Sequence, residues 1–267
     1  MSVPKLVFIV PYRARKPQKT HFSIYMKYIL EDYNTEDYKI FFVHQIDQRS
    51  FNRGAMKNIG FLAIKNLYPN HYKNITFIFN DIDTIPCEKN ILNYETTKGT
   101  VKHFYGFKFA LGGIFSINGH DFEKCDGFPN FWGWGLEDNV MNKRVINNHI
   151  NIDRSQFFTI GNIEIMQQLD KPFRLINDRE TTAQTTNEGL KDIKNLQYKI
   201  EDEMIQVTKF NTANEFNTKE FYSRDISIPG AQKSLVNVLT KKENKKSTQN
   251  LFNNNIKQNN LNMWKMY

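Results

Sequence analysis

The segment Trp132–Asp138, with the sequence WGWGLED, alternates two tryptophans with two glycines and runs into an acidic pair. Trp has a flat apolar face of the kind that packs on a sugar ring, and Gly lets a ligand or backbone approach closely. A carboxylate just past this platform can accept a proton from a bound hydroxyl group. In the plainer alternative, the tryptophans are ordinary core and the acidic pair stabilises the start of a helix. The interleaved glycines favour the platform, because glycine adds backbone entropy and no burial.

A second acidic pair, Asp81 and Asp83, follows the apolar run Ile75–Phe79. Carboxylate oxygens are ligands that suit Mg²⁺ or Mn²⁺, and a divalent cation there would neutralise a diphosphate leaving group. Aspartates in loops also form turns and helix caps, and only the position at a strand end favours a binding site. Together the two acidic clusters predict an enzyme that holds a charged donor with one cluster and activates an acceptor with the other.

Two further motifs could serve the same site. Arg13 and Arg15 follow the first apolar run, and Arg suits bidentate contact with phosphate, although both could be plain surface residues. Gly112 and Gly113 indicate either close approach to a ligand or a β-bulge. The chain has no GxGxxG, P-loop, Ser-His-Asp or HExxH signature, which argues against the enzyme classes that those motifs mark.

The elements that must position these residues alternate between strands and helices. The predicted elements are strand Leu6–Val10, helix 19–31, strand Tyr38–Val43, helix Asn52–Tyr68 and strand Ile75–Phe79. This order predicts an open parallel sheet, in which ligands bind beyond the carboxyl ends of the strands. Arg13, Asp81 and Asp83 fall at those ends.

The second half of the chain is less regular. We predict a strand at Leu111–Ile117, a helix at Glu137–Asn148, and strands at Phe157–Ile160 and Tyr198–Val207. Residues 1–235 are predicted to form a single domain. Lys, Asn and Gln dominate from Thr240 onward, so residues 236–267 are predicted to be a basic tail that is mobile or marginally helical.

Composition limits the class of protein. Hydrophobic residues make up 40% and aromatic residues 14% of the 267, which indicates a globular core. The net charge of +8 would attract anions such as nucleotide sugars and acidic glycans, but no aromatic and basic interleaving argues for a nucleic acid partner. No apolar stretch is long enough to span a bilayer, and Lys5–Val10 is too short for a signal peptide core. We therefore expect no membrane span and a cytoplasmic location.

Seven motifs, in this order, resemble the β-1,4-galactosyltransferase family (glycosyltransferase family 7). They are Val10–Arg15, Phe51–Gly54, Asn58–Phe61, Phe79–Asp83, Leu111–Gly113, Gly127–Asn130 and Trp132–Asp138. The match is close over residues 6–145 and continues weakly, through Asn187–Leu190, to about residue 205. The resemblance implies a Rossmann-like α/β fold of glycosyltransferase type A, with a mostly parallel central sheet flanked by helices.

The resemblance also implies an activity: inverting transfer from a UDP-sugar to a glycan or glycoconjugate acceptor, usually with Mn²⁺, or with Mg²⁺ in its place. Residues 1–110 would bind the nucleotide sugar, and residues 111–235 would carry the acceptor and catalytic part. The implied donor-binding residues are Arg13, Arg15, Phe51, Arg53, Asp81, Ala110 and Gly113. The implied acceptor-binding residues are Trp134, Glu137 and Asp138, and Glu137 and Asp138 are the implied catalytic pair, with Asp138 as the base. Asp83 would bind the metal.

The chain departs from the family pattern at the metal site. Family members usually supply a histidine three residues after a methionine, and here Leu169 stands three residues after Met166. Asp170, Gln168 or His149 are the candidates for the missing ligand. The departure also motivates an alternative function, an inactive module that binds sugar nucleotides or glycans.

A second departure concerns the donor sugar. A bulky tyrosine before the Leu/Phe-Gly-Gly element marks galactose users in the family, and smaller residues there resemble users of N-acetylgalactosamine. Ala110 occupies this position. The expected donor sugar is therefore a hexose or N-acetylhexosamine, with galactose and N-acetylgalactosamine foremost.

Overall fold

Three buried strands form the centre of the sheet in the computed structural model, which describes residues 2–168, 173–183, 186–225 and 234–235. They are β1 (Leu6–Tyr12), β2 (Tyr38–Gln45) and β3 (Thr76–Asn80). β1 pairs in parallel with both of the others. Helices α1 (Lys16–Ile29) and α2 (Arg53–Leu67) connect them. The predicted β-α-β-α-β order is confirmed.

The remaining elements are shorter. The helices are α3 (Gly119–Lys124), α4 (Glu137–Asn147) and α5 (Asp178–Thr182). The strands up to the end of α4 are β4 (Thr84–Pro86), β5 (Thr100–Gly106) and β6 (Ile114–Asn118). The later strands are β7 (Asn151–Asp153), β8 (Phe158–Thr159), β9 (Ile165–Gln167), β10 (Phe173–Ile176), β11 (Lys194–Glu201), β12 (Met204–Asn211), β13 (Tyr222–Asp225) and β14 (Ser234–Leu235).

The central sheet has the strand order β11-β12-β2-β1-β3-β6-β5-β7, and β8 also pairs with β5. β6 runs antiparallel to both of its neighbours, and β11 runs antiparallel to β12. The other pairs are parallel, which confirms the predicted α/β class with a mostly parallel sheet. Strands from both halves of the chain build this one sheet.

Two predicted strands differ from the structure. Tyr198–Val207 is not one strand, because the chain reverses between β11 and β12 with Asp202 at a φ of 51°. The strand predicted to begin at Leu111 begins at Ile114, because Gly113 has a φ of 65° and its carbonyl accepts a hydrogen bond from Asp81 N. The predicted tail, residues 236–267, lies outside the described residues.

The sheet buries an apolar layer on each face. Along β1, Val7 and Ile9 face the layer that includes α2, whereas Phe8 and its alternate neighbours face the layer that includes α1. This alternation is the period of a strand buried on both faces. The two layers fix the ends of β1 and β3, where the acidic and basic side chains of interest begin. Among the described residues, no helix has both the length and the apolar character needed to cross a bilayer.

Candidate active site

Asp81 and Asp83 lie in a tight turn at the carboxyl end of β3. Asp81 N donates to Gly113 O at 2.9 Å, and Thr84 N donates back to Asp81 O at 3.1 Å. A side chain on Gly113 would strike the Tyr105 carbonyl, since its Cβ would lie 2.5 Å from that oxygen. Glycine is therefore required for the loop before β6 to pack beside the acidic turn.

Arg15 and Asp83 form an ion pair across this turn. Arg15 precedes the first turn of α1, and its guanidinium donates to Asp83 Oδ2 at 2.8 Å. Burial raises the pKa of the Asp83 carboxyl, the neighbouring Asp81 raises it further, and Arg15 opposes both. A cation or an anionic ligand entering here would meet a partly buried pair whose charges already balance.

A cavity of about 320 Å³ opens beside this pair, and we call it the strand-end cleft. Phe51 and Arg53 line it at the start of α2, with the Arg53 guanidinium 5.1 Å from the Phe51 ring centroid. Its other lining residues of interest are Arg15, Asp81, Asp83, Tyr105, Phe107, Ala110, Gly112, Gly113, Trp134, Asp138, Gln167 and Arg174. Apart from Arg13, all of the predicted donor-binding residues line this one cleft.

A second cavity of about 570 Å³, the aromatic cleft, adjoins the first. Phe107 and Phe109 stack on its rim with ring centroids 5.2 Å apart, and both rings are largely exposed. The cleft is also lined by Trp134, Glu137, Asp178, Tyr222 and Arg224. The two clefts share Phe107, Ala110, Trp134 and Asp138, so Asp138 lies where two ligands would meet.

Asp138 has the environment of a general base. Burial raises its pKa, Lys57 opposes this, and Glu137 and Asp81 add to the rise, with the result that the pKa of Asp138 lies at about 7. Its Oδ1 accepts a hydrogen bond from Lys57 Nζ at 3.0 Å, and its carbonyl accepts one from Leu111 N at 2.9 Å. A carboxylate that titrates near neutral pH is suited to accept a proton at that pH.

Glu137 is almost fully buried at the start of α4. Its Oε2 accepts a hydrogen bond from Gly135 N at 3.1 Å, in a turn where Leu136 has a φ of 63° and Gly135 a φ of 114°. Glu137 therefore braces the turn that presents Asp138, and its side chain also lines the aromatic cleft.

The two tryptophans of the WGWG segment have different environments. Trp132 is 1% exposed; its indole N–H donates to Asn214 O at 2.9 Å and its ring stacks on Phe210. Trp132 thus follows the core alternative. Trp134 is 37% exposed and lines both clefts, so the platform prediction applies to Trp134 alone.

Glu180 of α5 holds the loop that carries these tryptophans. Its carboxylate accepts hydrogen bonds from Trp132 N at 2.9 Å and from Gly133 N at 2.5 Å. A Cβ on Gly133 would lie 2.7 Å from that carboxylate, which explains why the position needs glycine. Burial raises the pKa of Glu180 to about 7 against the pull of the two amides. Glu180 was not predicted from the sequence, because nothing in the local pattern near residue 180 indicates this contact.

Arg13 does not line either cleft. Its guanidinium donates to Asp47 O at 2.9 Å and to Arg49 O, and burial lowers its pKa. Arg13 thus holds the loop between β2 and Phe51 in place. These contacts support the loop that leads to Phe51, and a contact of Arg13 with the nucleotide stays a prediction.

Two of the three candidates for the missing metal ligand lie within the described residues. His149 lies beyond the far end of α4, whose 11 residues span about 16 Å at 1.5 Å per residue, and it lines neither cleft, which argues against it as a ligand. The Gln168 side chain lies against His21 Nδ1 at 2.7 Å, although its backbone N donates to Asp83 O. Asp170 lies outside the described residues.

Gln167, which was not predicted from the sequence, lines the strand-end cleft, and Gln168 does not. Its Oε1 accepts a hydrogen bond from Tyr105 OH at 3.2 Å. The period of two in β9, which sends neighbouring side chains to opposite faces, is the signal that could have found it. Within the described ranges, no three His, Cys, Asp or Glu side chains gather into a metal-binding group. Asp83 and Gln167 both line the strand-end cleft, and carboxylate and amide oxygens are of the ligand type that Mn²⁺ and Mg²⁺ prefer.

Comparisons with known proteins identify the family of this chain. A family model for the N-terminal region of glycosyl transferase group 7 matches residues 1–95. A second model, for the N-terminal domain of galactosyltransferase, matches residues 99–169. The two together cover more than half of the chain.

Individual relatives match at low identity. The xylosylprotein 4-β-galactosyltransferase of Caenorhabditis elegans is 27% identical over 202 residues, which are 72% of this chain and 67% of that protein. The β-1,4-galactosyltransferase 7 of Drosophila melanogaster is 25% identical over 222 residues, 76% of this chain and 66% of that protein. Mouse β-1,4-galactosyltransferase 1 is 30% identical over 166 residues, which are 58% of this chain and 40% of that protein. The chain thus spans about two thirds or less of the length of these relatives.

A solved structure shows the same fold. The catalytic domain of Drosophila β-1,4-galactosyltransferase 7, in complex with xylobiose, superposes with a TM-score of 0.62 at 21% identity. The match covers 80% of this chain and 96% of that one. A mutant of the same enzyme in complex with manganese, UDP-Gal and xylobiose gives a TM-score of 0.61. With this fold and the two matched family models, the chain belongs to glycosyl transferase group 7, the family of the β-1,4-galactosyltransferases.

Proposed function

We propose that this protein is an inverting glycosyltransferase that moves a hexose or N-acetylhexosamine from a UDP-sugar to a glycan or glycoconjugate acceptor. Galactose and N-acetylgalactosamine are the foremost donor sugars. The observation that carries the proposal is the position of Asp138 on the wall shared by the two clefts. A residue there can reach an acceptor hydroxyl in one cleft while a donor occupies the other.

The chemistry follows from the placement of the side chains. The acceptor sugar packs on Trp134, and Asp138 takes the proton of its attacking hydroxyl. The acceptor oxygen forms a bond to the anomeric carbon as the bond from that carbon to UDP breaks on the opposite side, which inverts the configuration. Phe51 and Arg53 hold the uridine part, and Arg15 lies beside the diphosphate. Mn²⁺, or Mg²⁺, held at Asp83 would supply positive charge to the leaving group.

The relatives support the donor and the metal. The curated relatives are named galactosyltransferases, and the structurally similar fly enzyme was crystallised with manganese, UDP-Gal and xylobiose. The same chemistry suits this chain, because Asp81 and Asp83 lie at the strand ends as a metal-assisted donor site requires.

Replacing Gly112 by alanine tests the junction of the two clefts. A Cβ there would lie 2.9 Å from Asp138 Cγ, so the carboxylate must move. We expect kcat for sugar transfer to fall by roughly 10²-fold, the cost of a misplacement of about 1 Å, while UDP affinity measured by calorimetry stays close to wild type. A folded Gly112→Ala variant with wild-type kcat would remove Asp138 from the reaction.

The donor sugar depends on Ala110, whose small side chain lies at the boundary of both clefts. Ala110→Tyr would fill the space that an N-acetyl group needs. We expect the ratio of kcat/KM for UDP-N-acetylgalactosamine over UDP-galactose to fall by about 10-fold or more, the scale of a lost or blocked apolar contact. Ala110→Ser, which adds little volume, is the matched control. An unchanged ratio in Ala110→Tyr would place sugar selection elsewhere.

The alternative, an inactive binding module, is favoured by one observation. Leu169 replaces the expected histidine, and the described residues bring no group of three His, Cys, Asp or Glu ligands together. The near-neutral pKa of the partly buried Asp138 favours the enzyme, because a binding site for a neutral sugar needs no group poised to take a proton.

Release of UDP from a panel of UDP-sugars decides between the two functions. The purified protein is assayed with Mn²⁺ and then with a chelator, with and without a panel of sugar acceptors. Donor-selective, chelator-sensitive release that an acceptor stimulates would support the transferase and identify the sugar. UDP binding by calorimetry without release under any condition would favour the binding module, and absence of binding would contradict both.

A further inference from the structure

Lys57 of α2 contacts both acidic clusters of the site. Its Nζ lies 3.0 Å from Asp138 Oδ1 and 3.9 Å from Asp81 Oδ1. The side chain is almost fully buried, with only 2% of the residue exposed, and its ammonium group lies 4.5 Å from the Phe128 ring centroid. Lysine is rarely buried without a partner, so this placement needs an explanation.

The electrostatics of the junction provide one. Three carboxylates, those of Asp81, Glu137 and Asp138, surround the Lys57 ammonium. Burial would lower the pKa of Lys57, but these carboxylates outweigh it and raise the pKa to about 12. Lys57 therefore remains charged, and it separates carboxylates that would otherwise repel one another in a space of low dielectric constant.

The backbone around Lys57 is held rigidly. Asn52 caps α2 by accepting a hydrogen bond from Ala55 N at 2.8 Å. Asn58, the next residue after Lys57, donates to Phe128 O at 2.8 Å and to Asn130 Oδ1 at 2.9 Å. Helix α2 is thereby tied to the segment that leads into the WGWG loop, which fixes the backbone of Lys57 relative to that loop.

The contact also orients Asp138. Lys57 occupies Oδ1, and Oδ2 lies over Gly112, whose missing side chain leaves room for it. Gly112 lines the strand-end cleft. One carboxylate oxygen is thus anchored, and the other lies at the cleft.

We propose that Lys57 is a positioning residue for sugar transfer, which holds the Asp138 carboxylate at the junction of the two clefts and sets its distance from the Asp81 turn. The inference rests on the proposed function. Without the ammonium group, Asp138 would face Glu137 and Asp81 alone, and would either take up a proton or rotate away. Both outcomes slow the chemical step while leaving the walls of the strand-end cleft in place.

The test compares Lys57→Met with Lys65→Met, a matched control on the same helix whose partner is Glu123. We expect Lys57→Met to lower kcat at neutral pH at least 10-fold. In a plot of kcat against pH, the fall of kcat on the acidic side (the acidic limb) should move to higher pH. The KM for the UDP-sugar should change less than 3-fold. Lys65→Met should behave as wild type in all three respects.

A double-variant comparison separates positioning from general damage. If Lys57 acts through Asp138, Lys57→Met should cause little further loss of transfer in an Asp138→Asn background.

If Lys57→Met does not fold, Lys57→Gln replaces it, because the amide still donates a hydrogen bond but carries no charge, and the acidic limb should still move. A folded variant with the wild-type kcat and acidic limb, or equal losses in both backgrounds, would overturn the inference. Absence of transfer by the wild type would instead contradict the proposed function.

Discussion

Asp138→Asn is expected to lower the transfer rate by about 10²–10⁴-fold, the contribution typical of a general base. Asparagine has nearly the same shape, but its amide cannot take the acceptor proton. UDP affinity should remain near wild type, because the proposed nucleotide contacts come from Arg15, Phe51 and Arg53 and not from Asp138. Rates from the UDP-release assay and affinities from calorimetry test the two halves of this expectation.

The control for Asp138→Asn is Asp153→Asn, which removes a carboxylate of β7 that lines neither cleft. It should transfer sugar at the wild-type rate. Equal loss of transfer and of UDP binding in Asp138→Asn would mean that Asp138 maintains the site rather than acts as its base. Full activity in that variant would exclude the assignment.

The pH dependence of kcat in the wild-type protein is a second test of Asp138 as the base. Its pKa lies at about 7, chiefly because it is buried. A base works in its ionised form, so kcat should fall as the pH drops below about 7. The pKa of Glu180 also lies at about 7, so the Glu180→Gln variant is needed to distinguish Glu180 from Asp138. If Asp138 causes the fall in kcat at low pH, that fall should persist in Glu180→Gln. Loss of the limb in Glu180→Gln would assign it to the loop contact instead.

Sequence patterns were sufficient for the parts of the site that depend on local structure. Buried apolar runs predicted β1, β2 and β3, and with them the strand-end position of Asp81 and Asp83. Residue types in Trp132–Asp138 predicted a carboxylate beside an aromatic platform. Both features are encoded within a few neighbouring residues, which is the range over which periodicity carries information.

Contacts between distant segments were not predictable in this way. Lys57 reads as a charged position on an otherwise apolar helix, and its burial is explained only by carboxylates 24 and more positions away in the chain. The difference between Trp132 and Trp134 depends on Phe210, which a β-hairpin brings from the far end of the domain. Tertiary packing decides such positions, and local propensity does not.

Asp83→Ala is expected to abolish the gain in UDP affinity that Mn²⁺ provides. A charged ligand contact contributes about 1.5–3 kcal/mol, so the metal-dependent part of the affinity should fall by roughly 10–100-fold. In chelator the variant should bind UDP at least as well as wild type, because a carboxylate that would repel the diphosphate has been removed. Calorimetry with and without Mn²⁺ measures this difference, and Asp37→Ala, which removes an exposed partner of Lys5, is the control. An unchanged Mn²⁺ dependence in Asp83→Ala would place the metal on other residues, and weaker binding in chelator would show that Asp83 contributes to the nucleotide site without a metal.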